Sequence, residues 1–182
     1  MASSSNYDPT AVIAAANEKL LSGDLEGGQF LFQSSLLEWT DDAREVGGSI
    51  PESLREAVST LWLAYAQFLI QAKQFKSATE AYEEAIHCPV AGASGRVYAE
   101  YARFAIERNK RKTAQDVYLK ALVQNNGGAV QDEQDRGLLW NEFLEMMRTT
   151  NPDLRYRSRA RPARCARPRS RAAGTDRAPS PR

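Results

Sequence analysis

The chain is poor in the residues from which catalytic and metal sites are most often built. Its 182 residues include one histidine, His87, and two cysteines, Cys88 and Cys165. Two thiols cannot form a disulfide framework, so a reducing compartment is expected. His87 and Cys88 stand just before Pro89, with no second His or Cys nearby to complete a zinc site, and both read as structural. No apolar run approaches the ~18 residues of a membrane span. The opening MASSSNYDPTAV has neither a basic n-region nor an apolar core, so no secretion is expected. No phosphate loop, dinucleotide fingerprint or nucleophile elbow is present. These absences argue against an enzyme and against any cofactor.

Charge is balanced only on average. The chain has 24 Lys and Arg against 23 Asp and Glu. Up to Leu154 there are 14 basic and 22 acidic residues; from Arg155 onward there are ten arginines and a single acid, Asp176. An acidic body of net −8 thus precedes a basic end of net +9.

Within the first 150 residues proline occurs only at Pro9, Pro51 and Pro89. Alternating strand patterns are lacking, and Ala, Leu, Glu, Gln and Lys abound, so helix is expected throughout. Breaks fall at Ser22-Gly23-Asp24, at Gly47-Gly48, at Pro89 with Gly92 to Gly95, and at Asn125-Asn126-Gly127-Gly128. Ser49-Ile50-Pro51-Glu52 reads as a helix start, with Ser49 as cap and Glu52 reaching back.

An internal repeat carries most of the information. Residues 62–86 laid over 98–122, an offset of 36, match at eight of 25 positions. The matches are Tyr65/Tyr101, Ala66/Ala102, Phe68/Phe104, Ile70/Ile106, Lys76/Lys112, Ala78/Ala114, Tyr82/Tyr118 and Ala85/Ala121. Trp62, Tyr65, Phe68 and Leu69 line one helix face at three- and four-residue spacing. A turn near 73–76 leads to a second helix, begun by small Ala78 and continued inward by Tyr82, Ala85 and Ile86. Such a hairpin buries its apolar stripe only by stacking on the next copy. A divergent copy lies upstream, with Gly28, Phe32, Ser35 and Leu36 in the places of Ala78, Tyr82, Ala85 and Ile86. A fourth begins at Leu139-Trp140, with Phe143 and Met146 in the places of Tyr65 and Phe68.

LWLAYAQF…ATEAYEEAI and VYAEYARF…AQDVYLKAL resemble tetratricopeptide repeats, and more narrowly the half-a-TPR (HAT) variant; ANEKLLSGD resembles an ordinary tetratricopeptide repeat. The resemblance covers residues 8–148. It implies an all-α, right-handed α-solenoid over 8–150, followed by an Arg/Ala/Pro-rich disordered tail over 151–182. It further implies a non-catalytic scaffold of protein–protein interactions in a nuclear assembly for pre-mRNA splicing or 3′-end processing. A generic cytosolic tetratricopeptide adaptor for a peptide or chaperone is the alternative.

Four features are candidate contact sites. Asn17, Gln67 and Arg103 take the places of the row that, in tetratricopeptide grooves, holds a peptide's terminal carboxylate. One turn earlier, Ile13 and Ala99 replace the lysines such a clamp uses, which leaves a solvated polar groove as the competing reading. Trp140, Phe143, Met146 and Met147, with Leu144, place large apolar groups on a final helix without a following partner, offering a surface for a partner or for self-association. Arg108, Lys110, Arg111 and Lys112 form a basic cluster for RNA or another polyanion, or else a solvated turn that complements a helix C-terminus. The tail's Arg157-Ser158-Arg159 and Arg169-Ser170-Arg171 resemble RNA-binding Arg-Ser segments, although an alternative or misread exon would produce the same shift of composition. The aromatic stripe itself reads as core rather than as a base-stacking platform.

Overall fold

The computed structural model describes residues 7–45, 50–123 and 128–150. Among these lie seven α-helices and no strand, in keeping with the all-α expectation. The helices are α1 (Pro9–Leu21), α2 (Leu25–Glu45), α3 (Glu52–Gln71), α4 (Phe75–His87), α5 (Gly95–Glu107), α6 (Arg111–Leu122) and α7 (Glu133–Thr150). The chain divides into a unit through Met146 and a second from Met147, of which 147–150 are described. The Gly47-Gly48 break, the Ser49 cap, Asn125, Asn126, Gly127, Cys165 and the tail with its Arg-Ser segments lie outside the described residues.

Consecutive helices form hairpins, α1 with α2, α3 with α4 and α5 with α6. The first two hairpins each pack on the next through the second helix, and α3 lies beside both α1 and α5. One turn design closes all three hairpins. Gly23, Lys73 and Asn109 adopt left-handed φ values of 82°, 60° and 59°. Their N–H groups donate to Leu20, Ile70 and Ile106 O, and the N–H groups of Asp24, Gln74 and Lys110 donate to Lys19, Leu69 and Ala105 O. This Schellman arrangement satisfies carbonyls that a helix end leaves orphaned. The turns come earlier than the residue pattern placed them, since α4 begins at Phe75 rather than near Ala78.

Helix starts are less uniform. Asp8 Oδ1 accepts the Thr10 N–H at 2.9 Å and Pro9 opens α1, where its missing N–H costs nothing. The capping box expected at α3 involves Ser49, which lies outside the described residues. Pro51 is itself the cap, with no side-chain bond. Its carbonyl takes the N–H groups of Leu54 and Arg55, and Glu52 pairs with Arg55 at 2.9 Å. Proline's φ of −56° and ψ of 138° already supply the extended geometry a cap needs.

The core follows the repeat. Ala16, Ala66 and Ala102, at equivalent places on α1, α3 and α5, are fully buried, as are Ala78 and Ala114. Gly28 takes that second position in α2. A Cβ there would lie 2.5 Å from Phe68 Cζ and 3.3 Å from Ala16 O, so any side chain would have to push the Phe68 ring aside, and glycine fits this close crossing without a shift. Between hairpins, one ring of a second helix meets rings of the next first helix. Phe32 sits 5.3 Å from Tyr65 and 5.4 Å from Phe68. Tyr82 stacks 5.2 Å from Tyr101 and lies 5.4 Å from Phe104. Tyr118 lies 5.5 Å from Phe143 of α7. Tyr65 and Tyr101 therefore occupy like, buried surroundings.

Replacing Tyr82 by Ala should destabilise the chain by about 3–5 kcal/mol through the cavity it leaves, while Tyr82→Phe should cost under about 1 kcal/mol. Urea melts of the two variants check this, and similar losses would refute the ring's place in the core. Lys73→Gly should instead raise stability by several tenths to about 1 kcal/mol, because a lysine at positive φ is strained and glycine is not. An unchanged or lowered midpoint would contradict the turn geometry.

Candidate functional site

Asn17, Gln67 and Arg103 are exposed at equivalent positions of α1, α3 and α5. Arg103 is the one cation in the row, and its guanidinium is already engaged. It donates to Glu100 at 2.7 Å and to Glu142 of α7 at 2.5 Å. The bond to Glu142 is the largest cause of its raised pKa. An incoming carboxylate would have to displace two others at Arg103, the one charged residue of the row.

The large apolar groups of α7 split between two faces. Phe143 is buried on Tyr118, and Met146 is buried as well. Met147 is half-buried. Trp140 remains 39% exposed and Leu144 46% exposed. Leu144 stands where the three complete hairpins carry Ala16, Ala66 and Ala102. At that place the first hairpin brings its helices so close that even a Cβ on Gly28 would touch Ala16 O at 3.3 Å. A leucine would not fit a crossing as close as that one.

Arg108, Lys110, Arg111 and Lys112 are all exposed. Arg108 ends α5 and lies 3.9 Å over the Phe75 ring of α4, a cation–π contact. Lys110 closes the C-terminal turn of α5 and is also the N-cap of α6, of which Arg111 and Lys112 are the first residues. At the first turn of α6 the helix dipole opposes the positive charge of Arg111 and Lys112.

The aromatic stripe is core. Tyr65, Phe68, Tyr82, Tyr98, Tyr101, Phe104 and Tyr118 are buried. Trp62 is only partly so. Its Nε1 has no acceptor among the described residues, and it lines an open cleft of about 320 Å³ with Leu36, Leu37, Thr40, Tyr65 and Glu84. His87 Nδ1 lies 2.7 Å from Glu83 O, and Cys88 is the buried cap of α4. Among the described residues no group of three His, Cys, Asp or Glu could hold a metal ion, and no helix is long and apolar enough to cross a membrane.

A second cleft, of about 360 Å³, was not foreseen from the residues. It lies between the start of α3, the loop before α5 and the start of α7, and Glu56, Ser59, Arg96 and Asp132 are among its walls. The one signal in the chain was a serine at position 59 among Leu54, Ala57, Val58 and Leu61, a polar residue on an apolar face. Comparison with protein-family models, with curated proteins and with solved structures produced no match.

Burial holds the tyrosines of the hairpin seams in the neutral form. Tyr82 and Tyr101 are raised from 10.0 to about 12, first by desolvation; Glu100 adds to the effect at Tyr82 and Glu83 at Tyr101. Tyr118 is raised as well, by desolvation and then by Glu142. A folded-state pKa above the unfolded one contributes stability that is complete below pH 10 and is lost as pH rises through 12. Urea midpoints should therefore hold steady up to about pH 9 and fall steeply from 10 to 12, less so in Tyr82→Phe. A fall that Tyr82→Phe leaves unaltered would show that these hydroxyls do not carry it.

Proposed function

We propose that the chain is a non-catalytic scaffold, a right-handed α-solenoid of tetratricopeptide-like hairpins of the half-a-TPR kind. It presents its first-helix face and the outer side of α7 to protein partners in a nuclear RNA-processing assembly, for pre-mRNA splicing or 3′-end formation. The observation that carries this reading is the recurring ring contact: Phe32, Tyr82 and Tyr118 each meet the next first helix at 5.2–5.5 Å. Helical hairpins joined by one repeated seam are the design of extended interaction scaffolds. Trp140 and Leu144, exposed on α7, supply an apolar patch of the kind partner surfaces use. The occupied guanidinium of Arg103 weighs against the cytosolic adaptor that clamps a peptide carboxylate. RNA contact through Lys110, Arg111 and Lys112 is a second reading, favoured by their exposure at the start of α6.

Affinity purification of the tagged full chain, with mass spectrometry before and after nuclease treatment, tests these readings. RNA-processing subunits should be recovered and should survive the nuclease. Leu144→Glu should release them while leaving the chain folded, and Trp140→Glu should release them at some cost in urea midpoint, because the Trp140 ring also packs 6.0 Å from Phe143. Recovery of chaperones alone would overturn the nuclear assignment, and subunits lost to nuclease would favour the RNA reading.

A further inference from the structure

Resting on the scaffold reading, we propose that the cleft between α3, the loop before α5 and the start of α7 is a subsite for an arginine side chain of a basic partner peptide. Ser59 forms part of its wall. That residue is only 3% exposed, and its Oγ neither donates nor accepts a hydrogen bond among the described residues. A buried hydroxyl without a partner is unfavourable, and a ligand that supplies one relieves the deficit.

The charges around Ser59 decide the sign of that ligand. Glu52, Glu56, Asp132 and Asp135 stand against Arg55 and Arg96. Glu52 and Arg55 neutralise each other at 2.9 Å. Three carboxylates and one guanidinium are left, a local net of −2. Two of the carboxylates are held in place by backbone. Asp132 Oδ1 accepts the Asp135 N–H at 2.9 Å, and Asp135 Oδ2 accepts the Gly95 N–H at 2.9 Å. Among the described residues, their other oxygens and both oxygens of exposed Glu56 carry no hydrogen bond.

These carboxylates do not gather tightly enough to hold a metal ion. The arrangement suits a longer cation whose donors are spread in a plane. A guanidinium has five N–H donors in a fixed fork, enough to meet a carboxylate oxygen and the Ser59 hydroxyl together. At about 360 Å³ the cleft also falls within the range of ligand sites. The acidic body, with 22 acids against 14 bases, attracts a basic peptide from a distance.

The test titrates a fluorescein-labelled arginine-rich peptide into the full chain. It is repeated with the ten arginines from 155 to 182 replaced by Gln, so that the chain's own charge does not compete. Lys and Gln versions of the peptide serve as comparisons. Affinity should fall from Arg to Lys to Gln and weaken with salt. Ser59→Ala should weaken the Arg peptide roughly tenfold while raising the melting temperature. Glu56→Gln should weaken it several-fold, and Glu38→Gln, on α2 away from the cleft, should not.

Higher melting temperature with unchanged affinity in Ser59→Ala would reduce the hydroxyl to a packing defect and overturn the subsite. Equal losses from Glu38→Gln and Glu56→Gln would do the same, since attraction would then be diffuse. So would saturable binding of inorganic phosphate at the cleft in place of the Arg peptide. If RNA-processing subunits are recovered by the purification above but the peptide shows no affinity, the subsite falls and the scaffold reading stands. Peptide binding lost in Ser59→Ala, without those subunits, supports the subsite and removes the nuclear RNA-processing assignment.

Discussion

One ring on each second helix, lodged against the rings of the following first helix, is the contact on which the remaining structure depends. A two-helix hairpin of about 30 residues has too little interior to bury its own apolar stripe. Phe32, Tyr82 and Tyr118 solve this by carrying the core of one hairpin into the next. The small residues at the hairpin crossings, Gly28, Ala78 and Ala114, serve the same end. They let two helices approach closely enough that the ring beyond them reaches its neighbours. Side-chain caps add little: α3, α4, α5 and α6 have none. Stability here is a property of packing between hairpins, not of isolated helices.

With the aromatic seam residues in the interior, the exposed surface of the described residues is mostly polar and charged. The acidic body holds some of its cations close. Arg103 is shared between Glu100 and Glu142, and Arg55 is paired with Glu52. The exceptions are informative. Lys110, Arg111 and Lys112 open a helix whose dipole repels them, and Arg96 stands at a cleft of opposite charge. Helix α7 keeps the aromatic seam through Phe143 but replaces the small crossing residue by Leu144. Its Phe143 meets Tyr118 as Tyr65 meets Phe32, while its Leu144 position differs from those of α1, α3 and α5.

Much of this was legible in the residues. The offset of 36 residues between two copies placed Tyr65 with Tyr101 and Tyr82 with Tyr118, and the upstream copy placed Phe32 with them. Periodicity succeeds there because burial on one helix face demands the same residue kinds at the same spacing. It failed where local alternatives are close in energy. Residues 49–52 announce a helix start, but not that Pro51 is the cap of α3 or that Glu52 pairs with Arg55. Lysine at position 73 gives no sign of a left-handed turn, and only its equivalence to Asn109 and Gly23 betrays it.

The candidate sites were less legible than the fold. The sequence by itself determined which side chains are interior and how hairpins are joined, because those follow from spacing along one chain. It also determined that the body is acidic and its end basic. The tertiary structure alone decided which exposed groups remain free. Arg103 meets Glu142 across 39 residues, Gly95 meets Asp135 across 40, and Ser59 comes to face residues of two other elements. Pairing of charges and abandonment of a hydroxyl are facts about distance in space, to which no pattern of spacing along the chain is bound.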